Sequence, residues 1–183
     1  YADVNGDGMI NENDLIVVDR YGSIPEIIYG FNLACGWKGF ELTALFQGAA
    51  HKSIMLEGYG TTMFLDGSSN YYSYLSDGSW SPENTGAKYP RAYVGGNSNN
   101  NRASSIWMKN GNYLRLKNIE LSYTFPKSIL EKTKVINGLR LYINGTNLLT
   151  FDKLDIMDPE MTGGSAQYYP QLKSVNFGLN FTY

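Results

Sequence analysis

The chain has one cysteine and one histidine in 183 residues, and no apolar run of the roughly eighteen residues that a membrane helix needs. A single thiol cannot close an internal disulfide. Cys35 has neither His nor a second Cys near it in sequence, so it is expected to be a small apolar filler rather than a nucleophile or metal ligand. Charge is scarce as well: charged residues make up 17 % of the chain and the net charge is -2, which argues against a nucleic-acid surface. Neither an initiator Met nor a secretory leader opens the sequence at Tyr1-Ala2-Asp3, so a cut end of something longer is expected. What is abundant points one way. Aromatics reach 14 %, led by 15 Tyr, beside 20 Gly, the composition of an all-β protein packed with aromatic side chains.

Strands are legible by a period of two. In the last segment Val175, Phe177, Leu179, Phe181 and Tyr183 point one way, and Ser174, Asn176, Gly178, Asn180 and Thr182 the other. From Glu26 to Lys38 the row Tyr29, Phe31, Leu33, Cys35, Trp37 opposes Ile28, Gly30, Asn32, Ala34, Gly36. After Lys38-Gly39 the pattern resumes with Phe40, Leu42, Ala44 and Phe46, a tight hairpin that makes Trp37 and Phe40 cross-strand partners. Ser104–Lys109, the Asn110-Gly111 turn signal and Asn112–Phe125 are expected to form a second hairpin, ended by Pro126. Lys127–Thr133 suits one or two helical turns, and Leu139–Leu149 is a further strand.

An apolar row opposite small and amide residues suits a barrel wall between lipid and a wet lumen. The same alternation serves a soluble sandwich with its apolar side inward, and periodicity does not choose. Two further features favour the barrel. Aromatics collect at the strand ends beside the Lys38-Gly39 turn, as a membrane-interface girdle requires. Connections are short at one end, and long at the other, at 51–103 and 151–169. Five long strands do not close a barrel, so partner strands are expected from sequence outside these residues.

The N-terminal stretch Asp3-Val4-Asn5-Gly6-Asp7-Gly8-Met9-Ile10-Asn11-Glu12-Asn13-Asp14 has EF-hand spacing. Asp3, Asn5 and Asp7 supply side-chain oxygens, Met9 a backbone carbonyl, and Asp14 stands where Glu is usual. A structural Ca²⁺ is expected, with Ile10 free to pack against neighbours. The alternative is a turn that satisfies its own backbone through Asx hydrogen bonds. His51 shows no acid or nucleophile partner in sequence. Glu41, Glu57, Glu120 and Asp155 are too scattered to form a hydrolase pair, so no enzyme is expected. Glu41, Gln47, Asn118, Glu120, Arg140 and Asn144 are expected on the lumen side.

Taken together, DVNGDGMINENDL, YGSIPEIIYGFNL, WKGFELTALFQGA, WSPENTGAKYPR, IWMKNGNYLRLKNIELSYTFP, LRLYINGTNLLTFDK and the closing FGLNFTY resemble, in order and spacing over nearly the whole chain, the C-terminal portion of SusC/RagA-type TonB-linked outer-membrane proteins of Bacteroidetes. The resemblance implies the last strands of a 22-stranded transmembrane barrel with long extracellular loops and short periplasmic turns. Residues 1–23 would form an extracellular loop with the calcium motif, and 24–183 barrel strands and loops, the plug domain being absent. It implies import of oligosaccharides, or of peptides, with a SusD-like surface lipoprotein outside, TonB acting from the periplasm through a part missing here, and Tyr183 as the terminal aromatic for barrel assembly. Tyr71, Tyr72, Tyr74 and Trp80 are then candidates to stack on sugar rings, against packing within their loop or touching the lipoprotein. The competing families are a dockerin-like calcium module, which needs a second DxNxDG loop that the chain lacks, and a secreted carbohydrate-binding sandwich.

Overall fold

The computed structural model describes residues 1–183 apart from Ser69, Asp155 and the side chain of Thr133. Its frame is one antiparallel sheet of five long strands in the order β1 (Ile27–Trp37), β2 (Phe40–Ala50), β5 (Tyr113–Thr124), β6 (Gly138–Asp152) and β7 (Ser174–Thr182). Two short strands, β3 (Ser53–Met55) and β4 (Met108–Asn110), pair apart from it. Lys38 and Gly39, at φ 48° and 90°, close β1 onto β2 with both turn residues left-handed, the geometry whose twist matches the strands it joins. Trp37 accordingly pairs with Phe40. Pro126 stops β5, a helical turn α2 (Lys127–Leu130) and a 3₁₀ turn (Glu131–Thr133) follow, and the chain returns as β6.

Register sorts the side chains into two faces, because residues paired across neighbouring strands share a face. One face carries the rows Trp37-Phe40-Tyr123-Leu141-Leu179, Cys35-Leu42-Leu121-Ile143-Phe177 and Leu33-Ala44-Ile119-Gly145-Val175. The other carries Gly36-Glu41-Ser122-Tyr142-Gly178 and Ala34-Thr43-Glu120-Asn144-Asn176. The apolar rows are bare: Phe177 is 81 % exposed, and Leu33, Phe40, Leu141 and Leu179 are exposed too. A sandwich would bury them under a second sheet, and among the described residues the only other sheet is the three-residue pair β3–β4. A wall with nonpolar surroundings outside is the arrangement these faces require.

Aromatic rows bracket the apolar face. Phe40, Tyr123 and Phe125 pack together at the turn end, with centroids 4.6 and 4.9 Å apart along that series. Tyr29 and Phe151 lie level with Gly48 at the other end, just beyond the stacked Phe31 and Phe46. Phe40 and Gly48 stand about eight residues apart on β2, which at ~3.4 Å per residue and ~40° of tilt spans roughly 20 Å, close to the apolar band of a membrane barrel.

The buried core lies elsewhere, in the long connections at the loop end. Ile54, Leu56, Met63, Leu75, Tyr89, Trp107 and Leu154 form it, drawn from β3, the 56–107 connection, helix α1 (Ser73–Gly78) and the β6–β7 connection. Trp107, only 1 % exposed, stacks on Tyr89 at 5.3 Å and donates from Nε1 to the Asn100 carbonyl at 2.9 Å.

The expected hairpin between Ser104–Lys109 and Asn112–Phe125 is not formed. Met108–Asn110 pairs with Ser53–Met55 instead. The reason lies at the Asn-Gly pair: Gly111 donates its N–H to the Lys52 carbonyl, and Asn112 Oδ1 accepts the Lys52 N–H, so the chain crosses to residue 52 rather than folding back. Among the described residues no helix is long and apolar enough to cross a membrane.

Candidate functional site

The loop end gathers the side chains with chemistry to offer. Its base is a charge cluster on the polar face of the wall. Register slips between Leu45 and Phe46 of β2 opposite Leu116–Asn118 of β5, which makes Lys117 an extra residue in the strand. This bulge shifts the phase of alternation. Arg115 and Lys117 both reach the polar side, where the connection between β6 and β7 meets them. Arg115, 2 % exposed, places Nη2 2.8 Å from Asp158 Oδ1 and donates from Nε to Thr150 Oγ1 at 2.9 Å. Its Nη1 lies 3.0 Å from Glu160 Oε1, and Lys117 Nζ lies 2.6 Å from the same oxygen; both are ionic contacts without hydrogen-bond alignment. Buried Lys52 donates to the Pro159 and Met161 carbonyls at 2.5 and 2.8 Å, capping the same turn.

Burial by itself would raise the Asp158 pKa. The Glu160 N–H, Arg115 and the Gln171 N–H outweigh it and hold the carboxyl below the usual carboxylate range. A carboxyl whose folded pKa is depressed contributes stability that is present above its unfolded pKa of about 3.9 and is lost as pH falls through the folded value. Protease sensitivity of the 153–171 connection is therefore expected to be flat from neutrality down to about pH 5 and to rise below about pH 4. Limited digestion with an acid-active protease checks this, using an Asp158→Asn variant as the form without that titration.

Of the four aromatic candidates, the fold separates two pairs. Tyr72 donates its hydroxyl to the Ala166 carbonyl at 2.7 Å, and Tyr74 donates to the Gly60 carbonyl while packing edge-on against Tyr89. Tyr71 is exposed and meets Phe64 edge to face at 4.8 Å. Trp80, 38 % exposed, stands with Arg91 between two open grooves. One, about 590 Å³, includes Tyr71, Asp77 and Asn84; the other, about 490 Å³, includes Tyr1, Asn100 and Ser105.

The acidic loop binds its own backbone. Asp3 accepts from Gly6 and Gly8 N–H at 2.7 and 2.8 Å, Asn5 Oδ1 from Asp7, Asp7 from Met9, and Asp14 from Val4 at 2.7 Å and Asn11 at 2.8 Å. The Asn11 and Val4 N–H groups lower the Asp14 pKa. Oxygen-only donors suit Ca²⁺, yet among the described residues no three acidic, His or Cys side chains are grouped to hold an ion. Ile10, expected to pack, is exposed because nothing in the segment covers it.

His51 also departs from expectation. Its Nδ1 sits 3.0 Å from Glu26 Oε2 and its ring stacks on Tyr21 at 4.3 Å, so an acid partner exists. The pair is exposed, with no nucleophile at hand among its contacts. On the polar face Arg140 and Glu120 form an ion pair at 2.5 Å, Asn144 accepts from Asn176 at 3.0 Å, and Glu41, Gln47 and Asn118 lie in other rows of the same face. Asp155 lies outside the described residues. Sequence reasoning missed Lys52, Arg115, Lys117, Asp158, Glu160 and Arg91.

No protein-family model matches the chain. It is 30 % identical to TonB-dependent receptor P26 of Formosa agariphila over its whole length, and 23 % identical to TonB-dependent receptor SusC of Bacteroides thetaiotaomicron. A solved structure of the RagAB peptide transporter superposes on 87 % of the chain with a TM-score of 0.67 at 28 % identity. The chain is a C-terminal SusC/RagA-like segment of a TonB-dependent transporter. It spans 19 % of the length of the Formosa agariphila relative and 18 % of the matched RagAB chain. The sheet is thus a stretch of outer-membrane β-barrel wall whose apolar face meets lipid and whose polar face lines the lumen. These relatives are named as receptors and as a peptide transporter.

Proposed function

We propose that the segment supplies one wall and part of the extracellular mouth of an importer that takes up oligosaccharides, with a SusD-like surface lipoprotein covering the loops and TonB acting through a part of the transporter outside this chain. The observation that carries this is the one-sidedness of the sheet: a bare apolar face, a polar face of hydroxyls, amides and paired charges, and long connections packed around a shared apolar core at one end. Support for a saccharide comes from Trp80, an exposed indole flanked by Arg91 and by the carboxylate and amide of Asp77 and Asn84. A flat apolar ring beside directional hydrogen-bonding groups suits a sugar, which has an apolar face and a polar edge. The peptide alternative draws on the RagAB structures, which are of a peptide transporter.

In the full-length transporter carrying this segment, Trp80→Ala is expected to weaken binding of the imported oligosaccharide about tenfold, or ~1.4 kcal/mol. Calorimetric titration of the detergent-solubilised protein with oligosaccharides and with peptides separates the two substrate classes. Peptide binding without saccharide binding would overturn the saccharide reading, and an unchanged affinity in Trp80→Ala would remove Trp80 from it.

Calcium is proposed for the loop carrying Asp3, Asn5, Asp7, Met9 and Asp14, on the strength of its donor spacing. The hydrogen bonds within the loop leave carboxylate lone pairs free for an ion. Added Ca²⁺ is expected to raise the protection of residues 3–14 against proteolysis, an effect absent from an Asp3→Ala, Asp7→Ala variant. No change on adding Ca²⁺ retires this proposal.

A further inference from the structure

We infer that Arg115, with Lys117 and Lys52, is the anchor that holds the 153–171 connection against the inner wall, and that this anchored connection is what positions the Trp80 ridge at the extracellular mouth. The inference rests on the polar face being the lumen side, and it concerns residues whose side chains are nearly out of reach of solvent. Arg115 is 2 % and Asp158 8 % exposed. A guanidinium taken out of water requires a partner, and its fork here divides between Asp158, Glu160 and the Thr150 hydroxyl. Asp158 in turn organises its own loop, accepting the Glu160 N–H at 3.0 Å and the Gln171 N–H at 3.2 Å, which ties one end of the connection to the other. Lys52 holds the Pro159 and Met161 carbonyls from the far side.

From this fixed turn the connection runs on to Gly164 and Ala166, and these meet the other long loop. Glu57 donates its N–H to the Gly164 carbonyl at 3.0 Å, and Tyr72 its hydroxyl to the Ala166 carbonyl at 2.7 Å. A side chain at Gly164 would collide with the Met55 carbonyl, so only glycine permits this approach. Tyr72 immediately precedes helix α1, and Trp80 follows two residues after that helix. A continuous path of buried or hydrogen-bonded contacts therefore links the wall at Arg115 to the indole. The two long loops form one body fixed to the barrel rather than two independently swinging flaps, and Arg115 is a positioning residue for the mouth.

The test is amide hydrogen exchange on the full-length transporter in detergent, comparing Arg115→Met and Asp158→Asn with the parent. Peptides covering 156–170 are expected to exchange at least about tenfold faster in Arg115→Met, with a smaller increase in Asp158→Asn, and Trp80 fluorescence to become more accessible to an aqueous quencher, while β1–β2 peptides are unchanged. Arg115→Lys, which keeps the charge and loses the fork, is expected to restore part of the protection. Unchanged exchange of 156–170 in both variants overturns the inference, as does loss of β1–β2 protection in Asp158→Asn, which would make the cluster a general support of the wall. If Arg115→Met does not assemble, Asp158→Asn decides alone. Failure of the lumen assignment would be seen separately, as water-soluble labelling of the apolar rows in the parent.

Discussion

Placing an arginine at Val175 is expected to prevent the transporter from folding into the outer membrane, while the same substitution one residue on, at Asn176, is tolerated. Val175 lies in the row Leu33-Ala44-Ile119-Gly145-Val175, midway between the aromatic rows level with Phe40 and Gly48, so it faces the middle of the hydrocarbon. An arginine at the midplane on the lipid face of a barrel costs about 2–4 kcal/mol. Asn176 shares its row with Thr43, Glu120 and Asn144 on the lumen side, where a long cation finds water and a carboxylate nearby; its loss removes one amide hydrogen bond to Asn144 and costs about 1 kcal/mol or less. The measurement is the fraction of heat-modifiable, folded barrel in outer-membrane extracts. Equal yields for the two variants would contradict the assignment of faces.

Trp107→Ala is expected to melt the extracellular loops while leaving the barrel intact. The indole is the largest fully buried side chain of the described residues, stacked on Tyr89, hydrogen-bonded to Asn100 and packed in the only sizeable apolar cluster they form. Truncating a buried Trp costs about 3–5 kcal/mol, combining lost transfer energy with the cavity left behind. This cluster draws on residues from 54 to 154 but on none of the lipid-facing rows. The loss should fall on the loops alone: rapid proteolysis within 58–106, with heat-modifiability of the barrel retained. A barrel that fails to assemble would show that the loops and wall fold as one unit.

Much of this fold could be read from the residues, and the reasons differ by element. The β1–β2 hairpin was legible because its alternation is unbroken and Lys38-Gly39 fixes the register. Continuing the Trp37–Phe40 pairing to the far end brings Ile27 to Ala50, and the next step brings Glu26 to His51, whose ion pair was missed because the two are far apart in sequence. The 104–125 hairpin failed for the opposite reason: β4 has three residues, too few for a period to register, and the Asn110-Gly111 signal was satisfied by Lys52 instead. The charge anchor had one visible trace. Arg115-Leu116-Lys117 alternates in one phase and Asn118-Ile119-Glu120 in the other, and that break marks the bulge that turns Lys117 inward. Nothing in the sequence connects it to Asp158 and Glu160, since that contact is set by how a long loop folds back. Likewise, the Tyr-rich run at 71–74 could not be divided into packed and exposed rings without the carbonyls of Gly60 and Ala166.

The orientation of the wall is tested most directly by single cysteines along β7, from Ser174 to Thr182, in a background where Cys35 is serine. With a membrane-impermeant, water-soluble thiol reagent on the assembled transporter, positions 174, 176, 178, 180 and 182 should label and positions 175, 177, 179 and 181 should not, while a lipid-soluble reagent should give the reverse. Water-soluble labelling at Val175, Phe177 and Leu179 would contradict it.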